Sequence, residues 1–232
     1  MQRVPEPELM RSVPQVSAYS DANFTEGDQS FVDHIVDFLN HSNISLLPGS
    51  LILDLGCGPG NISELLASRW PQSDVIGIDG SSAMINKANT RLLTLKPAIQ
   101  NLSYIIANLK TINIDLIDKD KGASLIVSNS LLHHLHNPHD LWLAVQNLAI
   151  PGSFMFHRDL RRPFDELEVD ALCERYVKNA PPILKRDYRA SLFASFRVDE
   201  VRLQLRKSGL SSLSVVEIGD RYLEVLGRCH SR

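Results

Sequence analysis

The chain has 232 residues and a formal net charge of -3, which fits one α/β domain with additional segments and disfavours an extended nucleic-acid footprint, since that needs a basic surface. Its three cysteines are widely spaced and odd in number, which argues against a disulfide framework. No segment reaches the apolar length of a membrane span and the first residues lack the apolar core of a secretion signal, so we expect a cytoplasmic protein.

An N-terminal extension precedes the first predicted strand. Three prolines within the first 14 residues predict an irregular beginning. From Asp28 onward, apolar residues recur at helical spacing, which predicts one helix before the turn at Pro48 and Gly49. We expect this helix to pack on the flank of a sheet.

The stretch from 51 to 79 predicts a strand, a turn, a helix and a second strand. An apolar run around Asp54 has the character of a strand buried on both faces. A glycine turn follows, which permits left-handed backbone and leaves no side chain between the turn and a ligand. Its glycines are Gly56, Gly58 and Gly60. A helix then begins near Asn61, with its free N–H groups at the same point, and the second strand ends in Asp79.

The two acids of this unit indicate the kind of ligand. Asp79 lies about 20 residues past the glycines, where a second parallel strand presents a carboxylate to a ribose. The dinucleotide fingerprint G-x-G-x-x-G/A is not met, because Asn61 occupies its third position. Asp54 would repel a pyrophosphate but suits a ligand that carries an ammonium and a sulfonium group. The pattern therefore disfavours a nicotinamide-dependent oxidoreductase.

On these residues, LDLGCGPG followed by GID resembles the class I S-adenosylmethionine-dependent methyltransferases, and the resemblance covers roughly residues 15–227. It implies an α/β fold: a Rossmann-like, mostly parallel seven-stranded sheet with helices on both faces. It also implies an N-terminal helical cap over 1–48, a methyltransferase domain over 49–232 and a lid-like insertion at 163–196 after the fifth strand. S-adenosyl-L-methionine would be the cofactor.

The remaining elements alternate as such a fold requires. The patterns predict further strands over 102–107, 123–127, 153–157, 213–218 and 222–226. They predict helices over 82–93, 140–148 and 198–207, and a weakly helical segment over 109–119. The insertion has two predicted helices, of which the first ends at Pro181 and Pro182 and the second covers 188–196.

The resemblance also assigns cofactor contacts to individual positions. Tyr19 would face the site from the cap. Met84 would lie against adenine, with core packing as an equal alternative. Asn108 stands where the family usually has an acid and would accept the bond from the adenine amine through its amide oxygen. The full set implied is Asp54, Gly56, Gly58, Gly60, Asp79, Gly80, Met84, Asn108, Leu109, Asn129 and Tyr19.

The run SNSLLHHLHNP at 128–138 follows the fourth strand and resembles the S-x-L-H-H-L-x-D/N-P run of small-molecule methyltransferases. Methyl transfer needs alignment of the acceptor and, for a hydroxyl, a general base. By resemblance to natural-product O-methyltransferases, His133 would be that base together with Asp159; the alternative is that one of the two adjacent histidines packs or caps a helix. Arg158 would contact the acceptor, because a guanidinium matches a carboxylate or phosphate. His134 would be a second acceptor contact.

The expected acceptor is a small molecule methylated at oxygen or nitrogen, and two alternatives remain. One is methylation of RNA or protein, although the N/D-P-P-Y/F motif of one such subclass is replaced here by SNSL at 128–131. The other is a regulatory protein that binds the cofactor without turnover. The histidine cluster lacks a cysteine or a pair of acids at ligand spacing, so we expect no metal. The sequence leaves the acceptor, the methylated atom and the oligomeric state open.

Overall fold

The computed structural model describes residues 1–6, 19–20, 22, 24–117 and 122–229. Seven strands are present in this part of the chain: β1 Leu51–Leu55, β2 Asp74–Asp79, β3 Leu102–Ile106, β4 Ala123–Asn129, β5 Ala149–Leu160, β6 Ser214–Ile218 and β7 Tyr222–Arg228. The helices with described bounds are α1 Thr25–His41, α2 Asn61–Arg69, α3 Ser82–Thr94, α4 His139–Leu148, α5 Glu166–Val177, α6 Pro182–Ala194 and α7 Val198–Lys207.

The strands form one sheet in the order β3-β2-β1-β4-β5-β7-β6. The pairs from β3 to β5 are parallel, whereas β7 pairs antiparallel with both β5 and β6. This arrangement confirms the predicted Rossmann-like, mostly parallel seven-stranded sheet. The strand order reverses direction between β1 and β4, and ligands of open α/β sheets bind at such a switch point, beyond the carboxyl ends of the strands.

The central strands are mostly apolar because both of their faces are covered. In β1, Leu53 belongs to the core that packs on α4 and α7, while Ile52 belongs to the core on α1 and α2. Trp142 of α4 is fully buried on the first face and Phe31 of α1 on the second. Burial of a side chain of this size stabilises the fold by about 1.5–3 kcal/mol, so the two-sided core fixes the strand ends that carry the site.

Several predicted elements differ from the structure, among them the fifth strand, which runs over Ala149–Leu160 rather than 153–157. The first helix begins at Thr25 rather than at Asp28, which lies in its first turn, where an acid suits the helix dipole. The second helix of the insertion begins at Pro182 rather than near 188, since proline fits the first helical position. Of the weak helix predicted over 109–119, a 3-10 turn at Ile114–Leu116 is present, and residues 118–121 lie outside the described part.

The first six residues pack against the insertion and against the loop after β4. Met1 joins an apolar cluster with Leu172 of α5 and Leu192 of α6. The backbone N–H of Val4 donates to the carbonyl of Phe193 over 3.0 Å. The predicted cap over residues 1–48 falls partly on 7–18, which lie outside the described residues. No helix in the described part of the chain has the length and apolar character to cross a membrane.

Candidate active site

A cavity lies beyond the carboxyl ends of β1, β2 and β4, at the switch point of the sheet. It brings together most of the residues that the sequence predicted. Those that line it are Tyr19, Asp54, Gly56, Gly58, Asp79, Gly80, Met84, Asn108, Leu109, Asn129 and His134. Four other predicted residues are outside the lining: Gly60, His133, Arg158 and Asp159.

The glycine turn after β1 is held against β2 by backbone hydrogen bonds. The N–H groups of Gly56 and Cys57 both donate to the carbonyl of Ile78, over 2.7 and 3.0 Å. Gly56 has φ +72°, and a Cβ there would lie 2.7 Å from Leu131 Cδ1. Gly58 has φ +54°, but a Cβ there would meet nothing within 4 Å. Its hydrogen atoms therefore leave room on the cavity side of the turn.

Gly60 serves the packing of the turn rather than the cavity wall. It has φ +92° and precedes the first residue of α2. A Cβ at this position would lie 2.2 Å from the hydroxyl oxygen of Tyr104, which donates a hydrogen bond to the Gly60 carbonyl over 3.3 Å. The close approach of β3 to the turn explains why no side chain fits here.

Asp79 ends β2 with its carboxylate fixed at the cavity. Its two oxygens accept hydrogen bonds from the N–H of Gly58 over 2.9 Å and from the N–H of Ser81 over 2.7 Å. Burial raises the pKa of Asp79, and the two N–H donors partly offset that rise. The carboxylate thus retains acceptor capacity for neighbouring hydroxyl groups.

Asp54 is a second acid on the cavity lining, and only 1% of its surface is exposed. Its Oδ2 accepts a hydrogen bond from the Ser63 hydroxyl over 2.6 Å. Burial raises the pKa of Asp54 to about 7, although the Ser63 bond opposes the rise. A buried carboxylate is costly without a compensating charge, so this position favours a cationic ligand group.

The wall on the α3 side combines an apolar and a polar surface. Met84 is buried, with its N–H bonded to the capping hydroxyl of Ser81. Asn108 follows β3 and is exposed, and its amide oxygen accepts from the N–H of Lys110 over 2.9 Å. That oxygen is therefore already engaged by the backbone, and the amide NH₂ of Asn108 is a hydrogen-bond donor.

The opposite end of the cavity is bounded by aromatic rings and by the end of β4. The rings of Tyr19 and Phe24 lie 4.9 Å apart, and burial raises the pKa of the Tyr19 phenol. Asn129 is the last residue of β4. Ser130 then adopts φ +53° and donates its N–H to the carbonyl of Arg158 over 2.9 Å. This turn directs the chain into Leu131 and the histidines.

His133 and Asp159 form a buried pair beside the cavity. The His133 ring binds Asp159 Oδ1 through Nδ1, and the His133 N–H donates to Asp159 Oδ2 over 3.0 Å. Burial alone would lower the pKa of His133, but the charge and hydrogen bond of Asp159 outweigh it, so that the pKa is raised. Burial alone would raise the pKa of Asp159, but His133 lowers it to about 2. The pair is thus an ion pair that anchors the loop.

The Arg158 guanidinium is engaged inside the protein. Its Nε and Nη2 donate to Glu224 Oε1 over 2.8 and 2.6 Å, and both residues are buried. The guanidinium carbon also lies 5.3 Å from the ring of Phe31 and 5.6 Å from that of Tyr222. Its ring contacts and ion pair tie β5 to β7 and α1.

Sequence reasoning missed the contribution of the first six residues. Glu6 Oε1 lies 3.4 Å from His133 Nε2 and 3.2 Å from His134 Nδ1. Arg3 Nη2 donates to the carbonyls of His133 and Leu135, each over 3.0 Å, and its Nε donates to the carbonyl of Ala194 over 2.5 Å. The partners of Arg3 lie 130 to 191 positions away along the chain, so no local pattern could have indicated the contacts.

The sheet order and the cavity between its central strands define the Rossmann-like fold that binds nucleoside ligands. A sequence profile of the family described as "Methyltransferase domain" matches residues 52–150. A crystal structure of a SAM-dependent methyltransferase from Aquifex aeolicus superposes with a TM-score of 0.65 over 95% of this chain and 100% of that chain, at 17% identity. That likeness concerns the fold.

Two relatives share sequence with parts of the chain. Trans-aconitate 2-methyltransferase of Methylobacterium radiotolerans is 33% identical over 105 residues, or 45% of this chain and 36% of that protein. The enzyme of the same name from Afipia carboxidovorans is 53% identical over 51 residues, or 22% of this chain and 20% of that protein. The chain thus aligns with well under half of the length of either relative. In the matching profile over residues 52–150 and in its fold, the chain is similar to the S-adenosylmethionine-dependent methyltransferases.

Proposed function

We propose that the chain binds S-adenosyl-L-methionine in this cavity and transfers its methyl group to an oxygen or nitrogen of a small-molecule acceptor. The observation that carries the proposal is the pair of acids at the cavity, Asp54 and Asp79, which flank the open glycine turn. The free cysteines, Cys57, Cys173 and Cys229, suit the reducing cytoplasm in which we place this activity.

The cavity residues fit this cofactor in charge and in shape. S-adenosyl-L-methionine supplies a methyl group that is already activated on a sulfonium. Asp79 would accept hydrogen bonds from ribose hydroxyls, as an acid at the end of the second strand does in this fold. Asp54 would compensate the positive charge of the amino-acid end, and a cationic partner would stabilise its ionised form. Gly58, with open space around it, leaves room beside the turn.

The side chains at the other positions would hold the adenine ring of the cofactor. Met84 and Leu109 offer apolar surface on the wall where α3 and the end of β3 meet the cavity. Asn108 would accept from the adenine amine through the second lone pair of its amide oxygen, whose first is bonded to the Lys110 N–H. Gly80 and Asn129 lie on the same lining.

The acceptor would enter at the end bounded by Tyr19, Phe24 and His134. Alignment of the reacting atoms lowers the barrier by about 7–11 kcal/mol in well-oriented reactions. In this proposal the main catalytic contribution of these walls is to align the acceptor. His133 is outside the lining and forms an ion pair with Asp159. We therefore assign the pair to anchoring of the loop and His134 to contact with the acceptor.

A methyl-labelled donor tests the proposal even while the acceptor is unidentified. The protein and the labelled donor would be incubated with one fraction of a bacterial lysate at a time: the small molecules, the RNA or the proteins. We expect label in a small-molecule product, and no transfer by Asp79→Ala. Label found only in RNA or protein would establish the macromolecular alternative. Tight donor binding without transfer in any fraction would indicate a regulatory protein.

A further inference from the structure

We propose that Glu6, His133 and His134 bind a Zn²⁺ ion beside the cavity, and that this ion ties the first six residues to the loop after β4. Each of the three side chains offers one ligand-type atom, and these atoms lie within 4.8 Å of one another. From the sequence we expected no metal, because the histidines lack a cysteine or a pair of acids at ligand spacing. The fold brings Glu6 to them from the beginning of the chain. The site does not depend on the proposed methyl transfer.

The separations of the ligand atoms are close to those of a zinc centre. Zinc–nitrogen and zinc–oxygen bonds are about 2.0–2.2 Å long, so two ligand atoms of a tetrahedral site lie about 3.3–3.6 Å apart. Glu6 Oε1 lies 3.4 Å from His133 Nε2 and 3.2 Å from His134 Nδ1. The third pair, the two ring nitrogens, lies within 4.8 Å. A rotation of the His134 ring, the less buried of the two, completes the set.

The chemistry of the three ligands selects the ion. Two histidines and one glutamate form a donor set that zinc uses, with the fourth position left to water. Mg²⁺ and Ca²⁺ prefer oxygen ligands alone, so the two imidazoles disfavour them. The side chains of Glu6, His133 and His134 are 11%, 3% and 15% exposed. An ion held between them would therefore be shielded from most of the solvent.

Asp159 supplies the outer hydrogen bond of such a site. The His133 ring binds Asp159 Oδ1 through Nδ1, and its Nε2 is the nitrogen near Glu6. A histidine that binds a metal through one nitrogen almost always donates from the other to a carboxylate, a carbonyl or water, which fixes its tautomer. His133 would keep the proton on Nδ1 and exchange the one on Nε2 for the ion. His134 would likewise bind through Nδ1 alone and keep Nε2 for a contact of its own.

The carboxylate of Glu6 is positioned by the packing of the first six residues. Its Oε1 accepts a hydrogen bond from the Ser191 hydroxyl of α6 over 3.1 Å. Arg3 Nη2 donates to the carbonyls of His133 and Leu135, each over 3.0 Å, and so fixes the backbone on both sides of His134. The three ligands are thus held together by contacts that do not involve the ion, which lowers the cost of ordering them when it binds.

The charges around the site balance a divalent cation. Glu6 and Asp159 are both mostly buried, and both lie against the His133 ring. The charge of Asp187 on α6 adds to the negative field at Glu6. Arg3 is the cation that faces His133, and its guanidinium is engaged with backbone carbonyls. One Zn²⁺ would neutralise Glu6 and Asp159 at the same time.

Calorimetric titration of the metal-free protein with Zn²⁺ tests the site without turnover. The protein, freed of any histidine-containing tag, would be dialysed against a chelator and then titrated with zinc chloride. We expect one Zn²⁺ per chain. At 100 times the dissociation constant, the ion should raise the melting temperature by about 5–10 °C. Binding that is weak and not stoichiometric would overturn the proposal and leave the proposed function intact.

Single substitutions locate the ion. Glu6→Gln and His134→Gln each remove one ligand and should weaken Zn²⁺ binding about 100-fold or more, because the whole binding energy of a structural zinc is shared among a few ligands. The controls are Glu174→Gln, an exposed acid on α5, and His139→Gln at the start of α4. Both should bind Zn²⁺ as the wild type does. Wild-type affinity in Glu6→Gln, or a loss of binding in His139→Gln, would place the ion elsewhere and contradict the site.

Two spectra of the wild-type protein keep the proposal testable if the variants are unstable. Co²⁺ in a four-coordinate site absorbs visible light much more strongly than six-coordinate Co²⁺, and ring ¹⁵N shifts identify the nitrogens that bind Zn²⁺. We expect strong Co²⁺ bands that excess Zn²⁺ removes, and Zn²⁺-induced shifts at His133 Nε2 and His134 Nδ1. Weak bands typical of six-coordinate Co²⁺, or shifts confined to His136 and His139, would overturn the assignment.

Discussion

The glycine-turn side and the histidine side of the cavity are built in different ways. On the glycine-turn side, the bonds that shape the site join residues within one continuous unit, as when Gly58 donates to Asp79, 21 positions away. On the histidine side, Arg3 and Glu6 reach partners more than 120 positions away, and Ser191 of the insertion completes the contacts. The first side is a local motif, and the second is an assembly of distant segments.

This difference separates what the two sides contribute. A strand–turn–helix–strand unit keeps its geometry wherever the fold occurs, so the cofactor side can be the same in enzymes with different acceptors. The histidine side depends on an N-terminal segment and an insertion, which are additions to the sheet. We therefore expect changes on the first side to affect donor binding and changes on the second to affect stability of the loop and transfer to the acceptor.

The largest effect should come from Asp79→Ala on the glycine-turn side. Two hydrogen bonds from ribose hydroxyls to a charged acceptor are worth about 1.5–3 kcal/mol each, so donor affinity should fall about 10²–10⁴-fold by calorimetry. Asp74→Ala, an exposed acid at the other end of β2, is the matched control and should bind normally. A donor affinity of Asp79→Ala within threefold of wild type would contradict the claim that the glycine-turn side binds the donor.

On the histidine side, Asp159→Asn should lower the free energy of unfolding without directly changing the affinity for the donor. It leaves buried His133 without its ion-pair partner, which costs about 3–5 kcal/mol, measured by urea unfolding at pH 7. Asp170→Asn, whose partner Arg189 is exposed, should cost less than about 1 kcal/mol.

The difference in stability between the wild type and Asp159→Asn should become smaller at low pH. The pKa of Asp159 is lowered to about 2, so its stabilising effect is complete above the unfolded-state value of about 3.9 and is lost as the pH falls towards 2. The gap between wild type and Asp159→Asn should narrow over this window. A gap that is constant with pH would mean that the ion pair is not the source of the loss.

Two alanine substitutions separate packing from ligand space within the glycine turn. Both glycines have positive φ, which costs about 1–2 kcal/mol for another residue. Gly60→Ala also meets Tyr104, and overpacking adds about 1–3 kcal/mol. In thermal or urea unfolding, Gly60→Ala should be the less stable of the two, whereas Gly58→Ala should lose more donor affinity relative to its stability. The opposite ranking would place Gly60 rather than Gly58 at the ligand.

The smallest effect is a dependence of donor binding on pH through Asp54. Its pKa is about 7, and a cationic ligand favours the ionised form, so affinity should rise with pH. Between pH 6 and 7.5 the gain should be about five- to tenfold, in a range where most of the ligand's amino groups stay protonated. Asp54→Asn should bind weakly at every pH in this range. A parallel rise in the variant would assign the effect to another group.

The sequence predicted the cofactor side because its physical causes are local. Glycine at positions of positive φ, an apolar run buried on two faces and an acid near the end of each strand can all be recognised in a window of about 30 residues. The seven-stranded, mostly parallel sheet was an expectation from the family resemblance, and the alternation of strands and helices agrees with it. The start of α6 was missed because Pro182 was read as a helix end, although proline also suits a first turn.

The histidine side could be predicted only as a location. The run at 128–138 indicated that histidines follow β4, but not which ring faces the cavity. That choice depends on Asp159, which binds His133 and turns it inward, and on Glu6, for which the sequence carries no pattern. Likewise, the expectation that Arg158 contacts the acceptor took no account of Glu224, which lies on a strand 66 residues later.

Calorimetric titration of the wild-type protein with S-adenosyl-L-methionine, S-adenosylhomocysteine and a nicotinamide dinucleotide tests the central claim most directly. We predict one site per chain for the two adenosyl ligands and no binding of the dinucleotide, whose pyrophosphate would meet Asp54 at the turn. Saturating adenosyl ligand at 100 times its dissociation constant should also stabilise the fold by about 2.7 kcal/mol. Binding of the dinucleotide in place of the adenosyl ligands would contradict the assignment of the cavity.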